Sequence, residues 1–485
     1  MPHERVRRKA MSSVIAIHRD GVPLELESKQ VDALKAALRG TLLRSGDDGY
    51  ADARSIWNAM IDRRPALIAR CVGVSDIVSC VKFARETGIA LSMKGGGHNI
   101  AGLAVAEGGL MLDLSLMRGV WVDPKARVAN AQPGCLLGDL DRETQLHGLA
   151  AVLSFVSMTG IAGLTLGGGF GYASRRFGWT SDNVRSMDLV TAEGKLVHAS
   201  EEQNADLFWG LRGGGGNFGV VVNISYDLYP LGPEIFGGGI AWPAASAPEV
   251  LSMFQKVAES APPELTVVAV LRIAPPAPWI NKELHGQPII AMFVCYIGKV
   301  EDGEKLLAPV KAFGKPVGDI IQRRPYVSQQ SLLDATQPKG RRYYWKSEYL
   351  PRLSPELFGS VIENARGILS PHSAVTMFQL GGAVGKHANG HSAVGNRDAA
   401  FVLNIMASWD KPDDDNANVE WARATWRDMK RFSTGGTYIN FLTEEESGER
   451  IQAAYGANFA RLAQLKAKWD PQNLFRMNKN IAPGK

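Results

Sequence analysis

Apolar and polar positions alternate with different periods along the chain, and the period changes mark out its elements. Residues 1–60 read as an N-terminal arm with a helix over 31–39. From Pro65 the pattern sharpens. Residues 66–72 form an apolar, strand-like run, and Ser75 is placed to cap a helix over 76–87 that stops at Gly88. A short strand over 90–93 feeds directly into a glycine run, and 109–114 is another strand. Residues 119–134 alternate like a hairpin around Asp123-Pro124-Lys125, and a helix over 136–147 follows. The stretch to Pro230 alternates short strands with glycine turns. The class is α+β, without the regular rhythm of a doubly wound sheet.

Between 230 and 243 glycine and proline crowd together, which reads as a compositional break. Beyond it, strand-like runs over 265–273, 288–297, 374–380 and 399–408 alternate with helix-like runs over 248–259, 302–313, 355–368 and 418–432. Amphipathic strands backed by helices predict an open sheet with one covered face. Near the end, Tyr455, Phe459, Leu462, Leu465 and Trp469 recur at steps of three and four. That spacing predicts one amphipathic helix, terminated by Asp470-Pro471, with 473–481 running out extended.

Composition narrows the picture only a little. A chain of 485 residues, 45% hydrophobic and 21% charged, is a globular protein too long for one ordinary core. A net charge of +5, with no basic block interleaved with aromatics, argues against nucleic acid as a partner. The basic opening of residues 1–9 lacks a following apolar region, and no apolar run approaches membrane-spanning length, so a cytoplasmic protein with no membrane partner is expected. The four cysteines show no CxxC spacing and are expected to be free thiols.

The 52 glycines change the picture more, because many cluster in three runs. Lys94–Gly102 reads KGGGHNIAG: glycines after a strand expose consecutive N–H groups, as a loop around a pyrophosphate does, with His98 planted at its end. A tight turn with a surface histidine would read the same way. Thr159–Tyr172 reads TGIAGLTLGGGFGY, six glycines that leave little side chain to pack and suit backbone lying against something flat or anionic. Gly213–Gly219 satisfies GxGxxG, but the following Val220–Tyr226 reads as a strand, whereas a dinucleotide fingerprint needs a helix there.

Together the motifs resemble the FAD-linked oxidases of the vanillyl-alcohol oxidase type, most of all their berberine bridge enzyme-like branch. The matching pieces are Arg64-Pro65, Gly95-Gly96-Gly97-His98, Leu112-Asp113-Leu114, the Gly167–Gly171 run, Ser181-Asp182-Asn183, the Phe208–Gly219 segment, Tyr438-Ile439-Asn440 and the Asp470–Phe475 segment, in order along the chain. The resemblance implies a two-part FAD-binding domain, 1–235 (core about 60–235) with a return over 437–485. It implies a substrate domain over 236–436 whose antiparallel sheet is covered by helices. It also implies that His98 bonds the flavin's 8α-methyl carbon. Gly95, Gly96, Gly97, Asn99 and Gly102 would cradle the pyrophosphate, and Thr159, Gly160, Gly163, Gly168 and Gly169 would line the ring and ribityl chain. Val221 would meet the adenine end, while Tyr438, Asn440 and Asn478 would approach from the C-terminal return. Many members add a cysteine bond to the flavin four residues before Gly160. Here that residue is Val156, which implies a single link through His98.

The expected reaction is hydride removal from a C–H beside a hydroxyl or amine, with O2 as electron acceptor and H2O2 as product. Thr159 stands where the family's oxygen gate is, close in volume to the valine of oxygen-reactive members. Tyr438 is the candidate base, and Arg397 could aid it; a surface ion pair is the other reading of Arg397. Tyr344, Trp345, Lys346 and Gln379 are candidates for the pocket wall. The partners implied are a small alcohol, sugar, secondary metabolite or amine, and O2. A dehydrogenase with another acceptor, or a flavin binder without catalysis, are the competing readings. His387 and His391 have an i,i+4 spacing, but the Asn-Gly between them favours a loop, so no metal is expected. Gly390–Gly395 narrowly misses a nucleophile elbow.

Overall fold

The computed structural model describes residues 13–446 and 448–484; the basic opening of residues 1–9 lies outside them. Helices and strands mix in the α+β manner, and most strand pairs are antiparallel. In the first half, Leu67–Arg70, Leu110–Asp113 and Leu91–Lys94 run parallel in that lateral order, with Thr41–Leu43 antiparallel at one edge. These strands are short and buried on both faces, mostly through apolar residues, with Ser92, Lys94 and Asp113 buried among them. The helix Val74–Thr87 covers one face with Ile77, Cys80, Val81 and Ala84, and ends at Gly88, whose φ of 75° only glycine adopts freely. Ser75 does not cap it. The helix starts two residues earlier than a Ser75 cap would set it, after Gly73. Asp76 does the tying instead, its carboxylate accepting the N–H groups of Arg39 (2.8 Å), Gly40 (3.2 Å) and Val72 (2.9 Å).

A second, five-stranded antiparallel sheet runs Leu196–Ser200, Val184–Val190, Val220–Asp227, Val128–Ala131, Val120–Asp123. Its last two strands are the expected hairpin. Val220–Asp227 follows the third glycine run directly, so that run opens a strand and not a helix.

The second half is built on an eight-stranded antiparallel sheet. Its main order is Gly318–Asp319, Glu234–Pro243, Pro288–Tyr296, Leu265–Ile273, Ala374–Gln379, Phe401–Trp409, Arg342–Leu350, and Gln322–Pro325 also pairs with Glu234–Pro243. Four of these strands are not visible in the hydrophobic pattern: the short Gly318–Asp319 and Gln322–Pro325, and two long ones. The segment read as a compositional break is the ten-residue strand Glu234–Pro243. Its glycines are there for close approach, since a Cβ on Gly238 would stand 2.1 Å from the Ile320 carbonyl oxygen. Arg342–Leu350 is the other. Helices Ala247–Ser260, Val300–Lys311, Pro355–Arg366 and Asp415–Met429 cover one face. The core on that side takes Val267, Ala269 and Leu271 from one strand, and Leu403, Ile405 and Ala407 from another. The intervening residues face the first half of the chain.

The C-terminal periodicity is carried by two helices, Gly448–Tyr455 and Phe459–Trp469, not one. Gly456 (φ 55°) breaks them apart, and Asn458 turns its amide back to the carbonyls of Ser392 and Val394. The Asp470–Phe475 motif then anchors the chain end. Asp470 accepts from Leu474 and Phe475 N–H at 2.8 Å each, and pairs at 2.7 Å with Lys466. Lys466 also donates to the Asn217 carbonyl beside the third glycine run. No helix among the described residues is long and apolar enough to cross a membrane.

One buried carboxyl generates a stability prediction. Asp141, on the helix Leu137–Gln145, receives only Gln330 Nε2 (3.2 Å), and burial pushes its pKa up to about 7. The unfolded value is near ~3.9. Between those values the folded chain holds a proton that the unfolded chain has lost, so stability falls as pH rises through that window and stays lower above it. Asp141→Asn should therefore stabilise the protein at pH 8 by up to ~4 kcal/mol and by only ~1 kcal/mol at pH 4.5. Denaturant unfolding at the two pH values measures this; an equal gain at both would refute the linkage.

Candidate functional site

The site forms where the first two glycine runs touch. Lys94 ends its strand opposite Asp113, their charged atoms 3.5 Å apart, and the Lys94 carbonyl accepts Leu114 N–H at 2.8 Å. The Leu112-Asp113-Leu114 motif thereby fixes where the first glycine loop begins. That loop lies against the second run so closely that a Cβ on Gly96 would stand 2.6 Å from Gly160 Cα, and one on Gly160 would stand 2.5 Å from Gly96 N. Only glycine fits at either position. The N–H groups of Gly95, Gly96, Gly97, His98 and Asn99 donate no hydrogen bond to protein among the described residues. A row of free backbone donors suits a phosphate-bearing ligand. Gly163, on the next turn, would meet nothing within 4 Å with a Cβ.

His98 closes the loop. Its imidazole stacks on Trp57 (ring centroids 4.1 Å, 18° between planes), and Trp57 stacks in turn on Tyr343 of the large sheet (3.6 Å, 14°). Trp57 Nε1 donates to the Gln337 carbonyl at 2.9 Å, which fixes the stack. His98 Nε2 is buried without a partner, and burial pulls the ring's pKa down to about 4, so the imidazole is neutral.

Tyr438 comes from the C-terminal return. Its ring packs edge-on against Phe170 and Phe441 at 5.0 and 4.9 Å, and its phenol oxygen accepts two hydrogen bonds, from Gly169 N–H (3.0 Å) and Asn440 Nδ2 (2.8 Å). Burial raises its pKa, while those two donors pull it back.

These groups share one cavity with about 1440 Å³ of atom-free space, partly open to solvent. Gly95, Gly96, Gly97, His98, Asn99, Thr159, Gly160, Gly163, Tyr438 and Asn440 all line it, and so does Val156. Cys71, Cys80, Cys135 and Cys295 are free, buried and away from it.

Other expected residues lie behind the wall. Gly102 packs on Ile61; Gly168 and Gly169 pack on Trp179 and Thr180, so Gly169 reaches the cavity only through its N–H on Tyr438. Val221 is in the core of the five-stranded sheet, and Asn478 Nδ2 donates to the carbonyls of Gly216 and Phe475. Arg397 is neither a surface pair nor part of the cavity lining. It is buried, its two terminal nitrogens on Asp182 at 2.9 and 2.6 Å, with a further bond to Ser392. Asp182 also holds Trp179 N–H, and its neighbours Thr180 and Ser181 donate to Gly169 and Gly168, so Arg397 braces the second glycine run from behind. Among the four wall candidates only Trp345 faces the cavity. Tyr344 and Lys346 sit with Glu445 and Trp426 on the helix side, and Gln379 spans Val267 N–H and the Ala258 carbonyl.

The wall residues missed in the sequence sit on alternate strand positions. They include Arg272, Thr376, Asn404 and Met406, with His372 just ahead of its strand. Asn404 stands out: it is fully buried, and neither its amide oxygen nor its nitrogen has a partner. The signal for these residues is a polar side chain on the alternate face of an apolar strand. For Trp57, lying alone in the arm, the sequence carries none.

Comparison with known proteins places this geometry. Residues 65–200 match the family model of an FAD binding domain, and residues 437–482 match the berberine and berberine-like model. The chain is 28% identical over 465 residues to (R)-6-hydroxynicotine oxidase of Paenarthrobacter nicotinovorans, covering 93% of this chain and 98% of that one. It is 27% identical over 488 residues to chitooligosaccharide oxidase of Gibberella zeae, with 97% of each covered. The solved structure of 6-hydroxy-D-nicotine oxidase from Arthrobacter nicotinovorans superposes with a TM-score of 0.82 at 26% identity, over 92% of this chain and 98% of that one. The free N–H row, the room beside Gly163 and the neutral, unpartnered His98 fit the cofactor of that family. The chain thus carries an FAD binding domain and a berberine-like C-terminal segment, and over nearly its whole length it is similar to FAD-linked oxidoreductases, oxidases among them.

Proposed function

We propose that the protein is an oxidase: it removes hydride from a carbon bearing a hydroxyl or amine of a small molecule, with FAD held by a single covalent bond to His98. FAD, when bound, supplies the two-electron acceptor, and O2 regenerates it with release of H2O2. The 1–235 and 437–485 segments hold the flavin, and 236–436 holds the substrate. Relatives that are oxidases support the choice of oxygen over another acceptor, as does Thr159 in the cavity wall. Those relatives are named for a nicotine derivative and for chitooligosaccharides, so both ring alcohols or amines and sugars fall within the proposed class.

The observation that carries the reading is the Tyr438 oxygen. Oxidising a C–H beside a hydroxyl requires the hydroxyl proton to leave as the hydride does, so a proton acceptor must face the substrate. Tyr438 faces the cavity, and its oxygen already receives two donors, an arrangement that favours the phenolate. Burial works in the opposite direction and keeps the phenol protonated until alkaline pH. Asn440 and Gly169 orient the oxygen; Asn404 offers an unpaired donor and acceptor across the cavity for the substrate's own polar group.

His98 suits the tether because a bond to an electrophilic carbon needs a neutral, positioned imidazole. Its low pKa supplies the first requirement and the Trp57 stack the second. With valine at 156 and no cysteine in the lining, one link is expected.

Peroxide release and oxygen uptake across alcohols, sugars and cyclic amines test the reaction, and oxidation only with an artificial acceptor would leave a dehydrogenase. Acid-precipitated wild type should keep its yellow colour in the pellet, whereas His98→Ala should lose it to the supernatant. A peptide map should find flavin on the His98 peptide alone, and wild type that surrenders all its FAD refutes the tether. Tyr438→Phe should slow flavin reduction by at least about a hundredfold while changing substrate Kd little. The wild-type reduction rate should climb with pH as the phenol ionises, and the variant should lose that climb. Equal losses in rate and binding would mean that Tyr438 only packs.

A further inference from the structure

The cavity-facing side of the large sheet is graded along its strands. Register sets three transverse rows. Val268, Phe378 and Val402 align in the first, Val270, Thr376 and Asn404 in the second, and Arg272, Ala374 and Met406 in the third. The first row is apolar and adjoins the aromatic group around Tyr438, since Phe378 packs on Phe170 and Phe441, both of which touch the Tyr438 ring. The second row carries the unpartnered Asn404 amide. The third ends in a guanidinium. At the rise of an antiparallel strand, the four steps from Val268 to Arg272 span about 13 Å.

Arg272 is a cation without an anion. Its Nε and Nη2 donate to the carbonyls of Ile273 (3.2 Å) and Pro371 (3.1 Å); Nη1 donates to no protein group, and no carboxylate lies within ion-pair distance among the described residues. The charged group acting on it is a like charge, Arg341. His372, also in the lining, bonds Asp410 at 3.0 Å, but Asp410 is already paired with Arg341 at 3.1 Å. Among the described residues no aspartate or glutamate lines the cavity. Burial lowers the pKa of Arg272 to about 10, as expected of a cation that lacks compensation, and it pulls His372 down against the opposing effect of Asp410.

We propose that Arg272, with His372 beside it, receives a carboxylate of the substrate, and that the substrate is an elongated, largely apolar acid whose oxidised carbon lies at the Tyr438 end. This rests on the oxidase reading of the same cavity. A guanidinium fork matches a carboxylate in plane and charge, and in this apolar lining the pair is charge-assisted. The apolar first row, with Phe378, packs the part of the substrate next to the oxidised carbon, and Asn404 in the second row is available for one polar substituent. The missing cavity carboxylates argue against a substrate bound through an ammonium ion pair.

The test is binding of biphenyl-4-carboxylate and biphenyl-4-carboxamide to the FAD-loaded enzyme, followed by flavin absorbance and calorimetry. The pair has the same shape and differs in charge. The acid should bind about tenfold or more tighter than the amide. Arg272→Met should erase that preference, and Arg272→Lys should keep part of it. Equal binding of acid and amide to wild type, binding of neither, or a preference that survives in Arg272→Met overturns the proposal. Oxygen uptake with neutral alcohols in an enzyme without acid preference would leave the oxidase reading standing. Acid preference in an enzyme that oxidises nothing would do the reverse.

Discussion

The contact between the Gly96 and Gly160 backbones is the constraint on which the site depends. Two loops from different sheets meet there with no side chain between them, each within 2.6 Å of where the other's Cβ would be. Because they touch, the free N–H row of the first loop and the Val156–Gly163 wall of the second face one space. Each loop is then held on its own side. The first is fixed by the Lys94–Asp113 pair, and the second by the Leu137 and Ile161 N–H groups, which donate to the Thr159 and Cys135 carbonyls. A single methyl group at either glycine would force these anchored loops apart.

The second half of the chain closes on this junction through polar groups rather than through a broad apolar seam alone. Arg175 spreads its guanidinium over the carbonyls of Leu265, Leu380 and Ala261, at the ends of the large sheet's strands and helix. Arg397 reaches Asp182 from the other direction, and both members of that pair are buried. Removing one partner of such a pair costs about 3–5 kcal/mol because the other charge is left stranded, so these contacts fix the geometry more than they add net stability. Tyr438 is set by the same logic. Its oxygen is held by Gly169 N–H, in the run that Arg397 and Asp182 brace. Mobility in the second run would therefore reach the proposed base directly.

What the sequence made legible follows from this. Glycine runs, the LDL and SDN motifs and the Asp470 segment are local signals of backbone geometry, and the structure shows a physical role for each. The parity of Arg342–Leu350 was not legible, because its apolar and polar residues do not alternate. Tyr344 and Lys346 look as fit for a pocket as Trp345, and only pairing with Phe401–Trp409 decides that Trp345 faces inward. The glycines of Glu234–Pro243 hid a strand, since residues that weaken a strand elsewhere are needed here to admit Phe293 and the 320–321 chain. Arg397 was misread for a different reason: its partner is 215 residues away, and nothing near it in sequence announces Asp182.

The ionisable groups around the cavity share one feature that narrows the chemistry further. Burial keeps His98 neutral down to about pH 4, lowers His372, and raises Tyr438, so each favours its uncharged form near neutrality. Arg272 alone stays charged. A base as weak as His98 has little driving force to take an alcohol proton, and His372 lies at the far row and is bonded to Asp410. Among the described residues no carboxylate lines the cavity to substitute. On the proposed reading, proton removal falls to Tyr438, the oxygen whose charged form is stabilised by two fixed donors, and the substrate's own charge falls to Arg272, whose guanidinium bonds carbonyls and no carboxylate. The two sit at opposite ends of the sheet floor, with the Val268–Phe378 row and the Thr376–Asn404 row between them, so a molecule that satisfies both lies in one direction only.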